Sequence, residues 1–250
     1  MLLGKGAAAN DDTMRRLAPT GKLRIAFVLA PEKSIFFVIK DDDGRPQGVT
    51  ADIAAALANK LNLSIEYVLF ANSGLATDAL ESGAVDVSFM PVDEERKRRV
   101  AFGPNYVLGE STYMVTATLP AKTVADVDRP GARVIGIANT TTIRAAARTL
   151  KNTSIAPVAS VAEAVTMLRE GKADAFALSR DSLPSYVKQV PGSHITEGAF
   201  QQVGIAIAVA KGKPESLAAV TEFMDAAKRE GIVRKALDNA GYADIAVAMQ

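Results

Sequence analysis

Apolar residues recur along this chain with two alternating rhythms. Residues 23–28, 65–70 and 85–90 are short runs rich in β-branched, aromatic and other apolar side chains, and they read as strands. Between them, residues 50–61 carry Ile53, Leu57 and Leu61 at helical spacing behind Thr50 as a candidate cap. Residues 75–82 read as a second helix, closed by Gly83. After Glu110 the rhythm restarts. Strands are predicted at 112–115, 133–137, 153–158 and 173–178, with helices from Thr141 or Thr142 to Leu150 and over 161–170. A strand over 204–209 and helices over 214–230 and 232–240 close the chain, and residues 1–20 read as a helical or disordered lead-in. Such alternation implies α/β architecture, with parallel strands flanked by helices, in two units alike in plan rather than in sequence.

Two such units suggest two lobes, with a ligand cleft between them that closes about a hinge. The expected division is 1–108 plus 204–250 for one lobe and 109–203 for the other, with crossover strands near 107–112 and 200–205. A length of 250 residues suits this plan.

Composition narrows the chemistry. Apolar residues make up 48% and charged residues 23%, as in an ordinary core-forming chain. A net charge of +1 provides no basic field for nucleic acid, and the few aromatics, with no Trp, argue against a base-stacking surface. The absence of cysteine excludes disulfides, thiol nucleophiles and cysteine-ligated metals. His194 is the sole histidine, which argues against a histidine metal site or a Ser-His-Asp triad. It follows Pro191-Gly192-Ser193 and reads as an exposed loop residue. No apolar run approaches the ~20 residues of a membrane span. The first ten residues are too short for a signal-peptide core, so any leader is expected to be absent from this chain. Asp41-Asp42-Asp43-Gly44-Arg45-Pro46 reads as a solvated turn without EF-hand spacing.

The stretch Asp93-Glu94-Glu95-Arg96-Lys97-Arg98-Arg99 follows directly on the apolar strand that ends at Met90-Pro91. In open α/β sheets, ligands bind outside the carboxyl ends of strands. An Arg there can grip a carboxylate through paired hydrogen bonds. The run reads as a solvated helix start capped by Asp93, with an anion-gripping arginine as the alternative.

Several segments, taken in order, resemble the bacterial extracellular solute-binding proteins of family 3. They are GKLRIAF at the first strand, DDDGRPQGVTADIAAALANKL at the first helix, ALESGAVDVSF, VIGIANTTTIRAAA, and the returning GIAIAVAKGKPE. The resemblance covers nearly the whole chain after residue 20. It implies the two-lobed type II periplasmic binding fold, each lobe a mixed sheet flanked by helices. It also implies that Arg96 binds a ligand carboxylate, which Thr141 and Thr142 meet from the other lobe; plain N-capping is the alternative for those threonines. Phe37 matches an aromatic wall of the family's site, or is an ordinary core residue.

Three departures stand beside the matches. The position of the family's second stacking aromatic falls near Ser73. A Thr-rich strand end is replaced by Met90 and Pro91, and Pro91 lacks an N–H. The acid that pairs with an α-ammonium in the family falls at Ser179, which cannot balance a charge. Asp93, Glu110 or Asp181 could substitute, with capping the alternative for the two aspartates. The implied function is that of a receptor for an ABC importer, a periplasmic monomer that captures a small carboxylate and delivers it to a membrane permease, with no cofactor or metal. The competing reading is a cyclohexadienyl or arogenate dehydratase-like enzyme of similar fold, with Glu110 as general acid; a hinge residue facing solvent is the alternative for Glu110. Arg96→Ala is expected to abolish binding without harm to the fold, as suits a cleft-surface side chain.

Overall fold

A computed structural model describes residues 17–249. Residues 1–16, which hold most of the predicted lead-in, lie outside the described residues. The elements follow the predicted order: β1 (Lys22–Val28), β2 (Ile39–Lys40), β3 (Pro46–Gln47), α1 (Val49–Leu61), β4 (Ser64–Phe70), α2 (Ser73–Glu81), β5 (Val87–Pro91), α3 (Glu94–Arg99) and β6 (Val100–Val115). After a short 3-10 turn come β7 (Val134–Ile137), α4 (Thr141–Thr149), β8 (Ile155–Val158), α5 (Val161–Arg169), β9 (Ala175–Ser179), α6 (Leu183–Val187), β10 (His194–Ile195), β11 (Gln201–Ala210), α7 (Pro214–Arg229) and α8 (Ile232–Asn239).

The main sheet has nine strands in the path β4-β1-β5-β11-β6-β9-β7-β8, with β10 beside β6. It consists of two parallel triplets, β4-β1-β5 and β9-β7-β8, joined by the antiparallel pair β11 and β6. Strands β5, β7 and β9 are almost wholly buried, which explains their unbroken apolar runs. The same strap closes each triplet. At the start of β1, Arg24 grips Asp86 through Nε (3.1 Å) and Nη2 (2.6 Å). At the start of β7, Arg133 grips Asp174 in the same way, at 2.9 and 2.6 Å.

Local chemistry moved several predicted details. Gly48, with φ 142°, occupies the cap of α1, and Thr50 lies inside the helix, where its hydroxyl donates to the Phe36 carbonyl. His194 belongs to strand β10 rather than a loop; its ring nitrogen meets the Ala121 carbonyl at 2.8 Å, although the residue is exposed as expected. β6 begins at Val100, ahead of the strand expected from 112 and the crossover expected near 107–112, and Gly103-Pro104 form a bulge within it. Phe102 and Asn105 face Ala208 and Ala206, so two residues oppose Ile207 alone and the missing Pro104 N–H costs no ladder bond.

Candidate functional site

The carboxyl ends of the two triplets converge on one cavity, at the last residues of β5 (Pro91), β7 (Ile137) and β9 (Ser179). Water-sized groups can be centred in about 40 Å³ of it. Phe36 and Phe37 form one wall, their rings 5.1 Å apart, in a loop held by Ser34 Oγ, which accepts from both of their amides. Val203 and Ile205 of β11 close the apolar side, and Gly109, Glu110 and Ser111 of β6 run along the seam.

Two helix N-termini face each other across this cavity. Asn72 caps α2, its Oδ1 accepting from Leu75 N, while its Nδ2 reaches across to the Ala159 carbonyl at 3.1 Å. Thr140 caps α4 by accepting from Ile143 N at 3.2 Å, and it donates to the Ile137 carbonyl. Thr140 is therefore the cap, and Thr141 and Thr142 open the helix inside it. The first-turn N–H groups of both helices lack intrahelical acceptors, so both ends present positive dipole to the space between them. Asn72, Ser73, Thr140, Thr141 and Thr142 all line that space.

Arg96 lies directly behind this wall. It is fully buried, not exposed at a cleft surface, and it is not on the cavity wall. Nη1 donates to the Pro91 carbonyl at 2.9 Å and Nη2 to Ser73 Oγ at 2.6 Å. Because Ser73 Oγ accepts from the guanidinium, its own proton is free to point into the cavity. Burial, and then the neighbouring Arg144, lower the Arg96 pKa to about 10, which leaves the group cationic at neutral pH. The expectation that Arg96→Ala would spare the fold is therefore revised.

The remaining predicted residues divide in the same way. Phe37, Pro91, Glu110, Thr141, Thr142 and Ser179 line the cavity; Met90 and Asp93 do not. Met90 is fully buried, and its sulfur accepts from Thr77 Oγ1 at 3.6 Å. Asp93 caps α3 through Oδ1, as expected, but its Oδ2 binds Arg144 of α4 on the opposite side of the cavity. Arg144 also meets Glu95 at 3.3 Å. Glu110 pairs with Arg180 Nε at 3.2 Å, and Arg180 Nη2 donates to the Gly198 carbonyl. Asp181 accepts from Ile35 N at 2.9 Å and lines a separate groove beside the C-terminal residues 244–249. Asn72, Ser111 and Arg144 are not among the site residues expected from the sequence. Asn72-Ser73-Gly74 carried a legible cap pattern; Arg144 carried no signal, since its partner Asp93 is 51 residues away.

Among the described residues no cluster of His, Cys, Asp and Glu could hold a metal ion, and no helix is long and apolar enough to cross a membrane.

Among solved structures, an ancestral arginine-binding protein bound to glutamine is 27% identical with a TM-score of 0.77, over 89% of this chain and 98% of that one. The ancestral amino acid-binding protein AncCDT-1, a precursor of cyclohexadienyl dehydratase, is 28% identical with a TM-score of 0.78, over 92% of this chain and 98% of that one. The solute receptor for L-cysteine of Neisseria gonorrhoeae, at 22% identity, a TM-score of 0.79 and coverage of 94% and 92%, shares the fold. No curated protein sequence matches the chain. The model of the bacterial extracellular solute-binding proteins, family 3, matches residues 28–240, and this chain, with its two-lobed α/β fold, belongs to that family.

Proposed function

We propose that this chain is the receptor of an ABC importer, which captures a small carboxylate-bearing solute by lobe closure and delivers it to a membrane permease. One observation carries the reading. The N-termini of α2 and α4, one from each side of the cavity, converge on a space backed by the buried Arg96. That field suits one anionic group, held by first-turn amides, by the Thr141 and Thr142 hydroxyls and by Ser73. Arg96 acts through Ser73 and sets the charge of the floor. The reading places the protein outside the cytoplasmic membrane as a monomer, with lobes 1–108 plus 204–250 and 109–203 hinged where β6 and β11 cross.

A thermal-shift panel of amino acids, dicarboxylates and simple acids tests it. A ligand at ~100 times its Kd adds ~2.7 kcal/mol of stability, which is a shift of roughly 5–10 °C for a chain of this size. A panel in which no acid shifts the transition would overturn the receptor reading.

Glu110 favours a second reading, because it is the carboxylate on the cavity wall and a dehydratase precursor is among the structural relatives. A general acid there would have to leave its Arg180 partner before giving up a proton. Incubation with carboxylated cyclohexadienes decides the matter: product formation that Glu110→Gln abolishes would establish the enzyme.

A further inference from the structure

We propose that Asp181, behind the cavity wall, is a specificity-determining residue: acting through the Ser179 hydroxyl, it selects a solute with an ammonium group beside its carboxylate. The proposal rests on the receptor reading and concerns the same cavity. Glu110 and Asp93 already face arginines. Glu110 meets Arg180 Nε at 3.2 Å, and Asp93 caps α3 through Oδ1 and holds Arg144 through Oδ2. Asp181 is placed differently. Its Oδ2 accepts from Ile35 N at 2.9 Å, its Oδ1 is sealed from solvent, and the Ser179 side chain donates to the carboxylate. Arg180, its neighbour in the chain, turns away to Glu110 and the Gly198 carbonyl. A buried carboxylate served only by amides and hydroxyls is costly to the fold, and such groups gather at functional sites.

The direction of the hydrogen bonds carries this charge to the cavity. Ser179 lines the cavity, and its Oγ lies 2.7 Å from Ser182 Oγ. With its own proton given to Asp181, Ser179 takes the proton of Ser182 and keeps one lone pair for the cavity. The carboxylate behind it strengthens that acceptor. Ser73 has the opposite sense: its Oγ accepts from Arg96 at 2.6 Å and offers a proton. The cavity thus presents a donor backed by a buried cation and an acceptor backed by a buried carboxylate. A ligand carboxylate suits the first and an ammonium the second. Hydrogen in place of the ammonium leaves the Asp181 charge unanswered. Asp93 and Glu95 also face Arg96, so the selection comes from these two hydrogen-bond directions and not from a bare positive floor. The acid absent at position 179 is supplied from position 181.

Matched acids isolate the ammonium, each amino acid set against the same acid with hydrogen in place of its amine. The pairs are L-alanine and propionate, L-leucine and isocaproate, L-glutamine and glutaramate, L-arginine and guanidinovalerate, and L-glutamate and glutarate. Calorimetry with the whole chain is expected to show at least one amino acid bound tenfold or more above its partner. Asp181→Asn is expected to weaken that amino acid roughly fivefold or more and leave its partner within about twofold. Ser179→Ala, which keeps Asp181 but breaks the link, is expected to do the same. Adding Ser179→Asp to Asp181→Asn puts a carboxylate on the wall itself and is expected to restore the preference, which a merely structural role of Asp181 would not allow. Circular dichroism confirms that each variant folds. A full preference kept by Asp181→Asn, or an equal loss for an amino acid and its partner, would overturn the proposal and leave the receptor reading standing. So would partners bound by the unaltered chain as tightly as the amino acids, or binding of acids without an amine alone. Silence from every acid would overturn both.

Discussion

A β-carbon built on Gly74 would lie 2.5 Å from the Cβ of Asn139 and 3.0 Å from its carbonyl oxygen. Gly74 belongs to the first turn of α2, and Asn139 precedes the cap of α4 with φ 59°. The two helix ends can approach this closely because one of them has no side chain. Gly74 is an ordinary helical residue in conformation, so the glycine is there for space and not for backbone freedom. Gly74→Ala is expected to hold the lobes apart and weaken ligand binding at least tenfold. The unliganded chain should gain slightly in stability, because Ala is the better helix former by about 1 kcal/mol. Small-angle scattering with saturating ligand should show a larger radius for the variant; an unchanged affinity would sink the idea.

Arg96 is predicted to matter for stability as well as for binding. It is the largest fully buried side chain in the described residues. Its removal strips the Pro91 carbonyl and Ser73 Oγ of a donor and leaves a void, so Arg96→Ala should cost about 2–4 kcal/mol. Arg96→Lys keeps the charge but cannot span both acceptors. It should retain most of the stability and still lose binding at least tenfold. Denaturant melts and calorimetry separate the two effects, and a Lys variant with native affinity would remove Arg96 from the site.

The Asp93–Arg144 pair joins the two sides of the cavity outside its wall. Both side chains are largely shielded, at 14% and 26% exposure, so the pair is worth more than a surface bridge. Arg144→Met should leave the fold intact and weaken ligand capture roughly 3–10-fold, about 1 kcal/mol, by releasing the closed state. The loss should appear mainly in the dissociation rate. Equal affinity and release in the variant would show that the pair plays no part in closure.

Much of the frame was legible because periodicity survives folding. The unbroken apolar runs became the buried parallel strands, and Ile53, Leu57 and Leu61 became the buried face of α1. What failed was information held in neighbours distant along the chain. Arg96 stands in a run of four basic residues, and nothing local shows that this one turns inward under Ser73, 23 residues earlier. Gly103-Pro104 carries the local signature of a break, and only the partner strand β11 turns it into a bulge. Thr140, Thr141 and Thr142 are chemically alike, so the cap among them was set by the tertiary path out of β7.

Asp174 should make stability fall in acid. Hydrogen bonds from Arg133 hold its carboxyl at about 2, below an unfolded value near ~3.9. A depressed carboxyl stabilises the fold above its unfolded pKa, and that stability is lost as pH falls toward 2. Asp174→Asn should cost about 1–2 kcal/mol at pH 7, allowing for screening around the half-exposed Arg133. The gap to the unaltered chain should close in melts below pH 3; a constant gap would show that ionisation plays no part.

Asp181 should act with the opposite sign. Its Oδ1 is sealed from solvent, and burial raises the carboxyl above its ordinary value, against the lowering effects of the Ile35 and Asp181 amides and of the Ser179 side chain. A raised carboxyl is most compatible with the fold below its unfolded pKa, and it costs stability as pH rises through its folded value. Asp181→Asn keeps an acceptor for Ile35 N and removes the buried charge, so it should raise the melting temperature at pH 8 and change it little at pH 4. The groups around the carboxyl are the Ile35 amide, the Ser179 side chain and the hydroxyls of Tyr106, Tyr186 and Tyr242, whose own ionisations are pushed up by burial and by Asp181; Tyr106 donates to the Ile35 carbonyl at 2.8 Å. None of these supplies a compensating positive charge. Melts of both proteins across that pH range decide the point: a variant less stable at pH 8 than at pH 4, relative to the unaltered chain, would mean that the Asp181 charge is a net support of the link to Ile35.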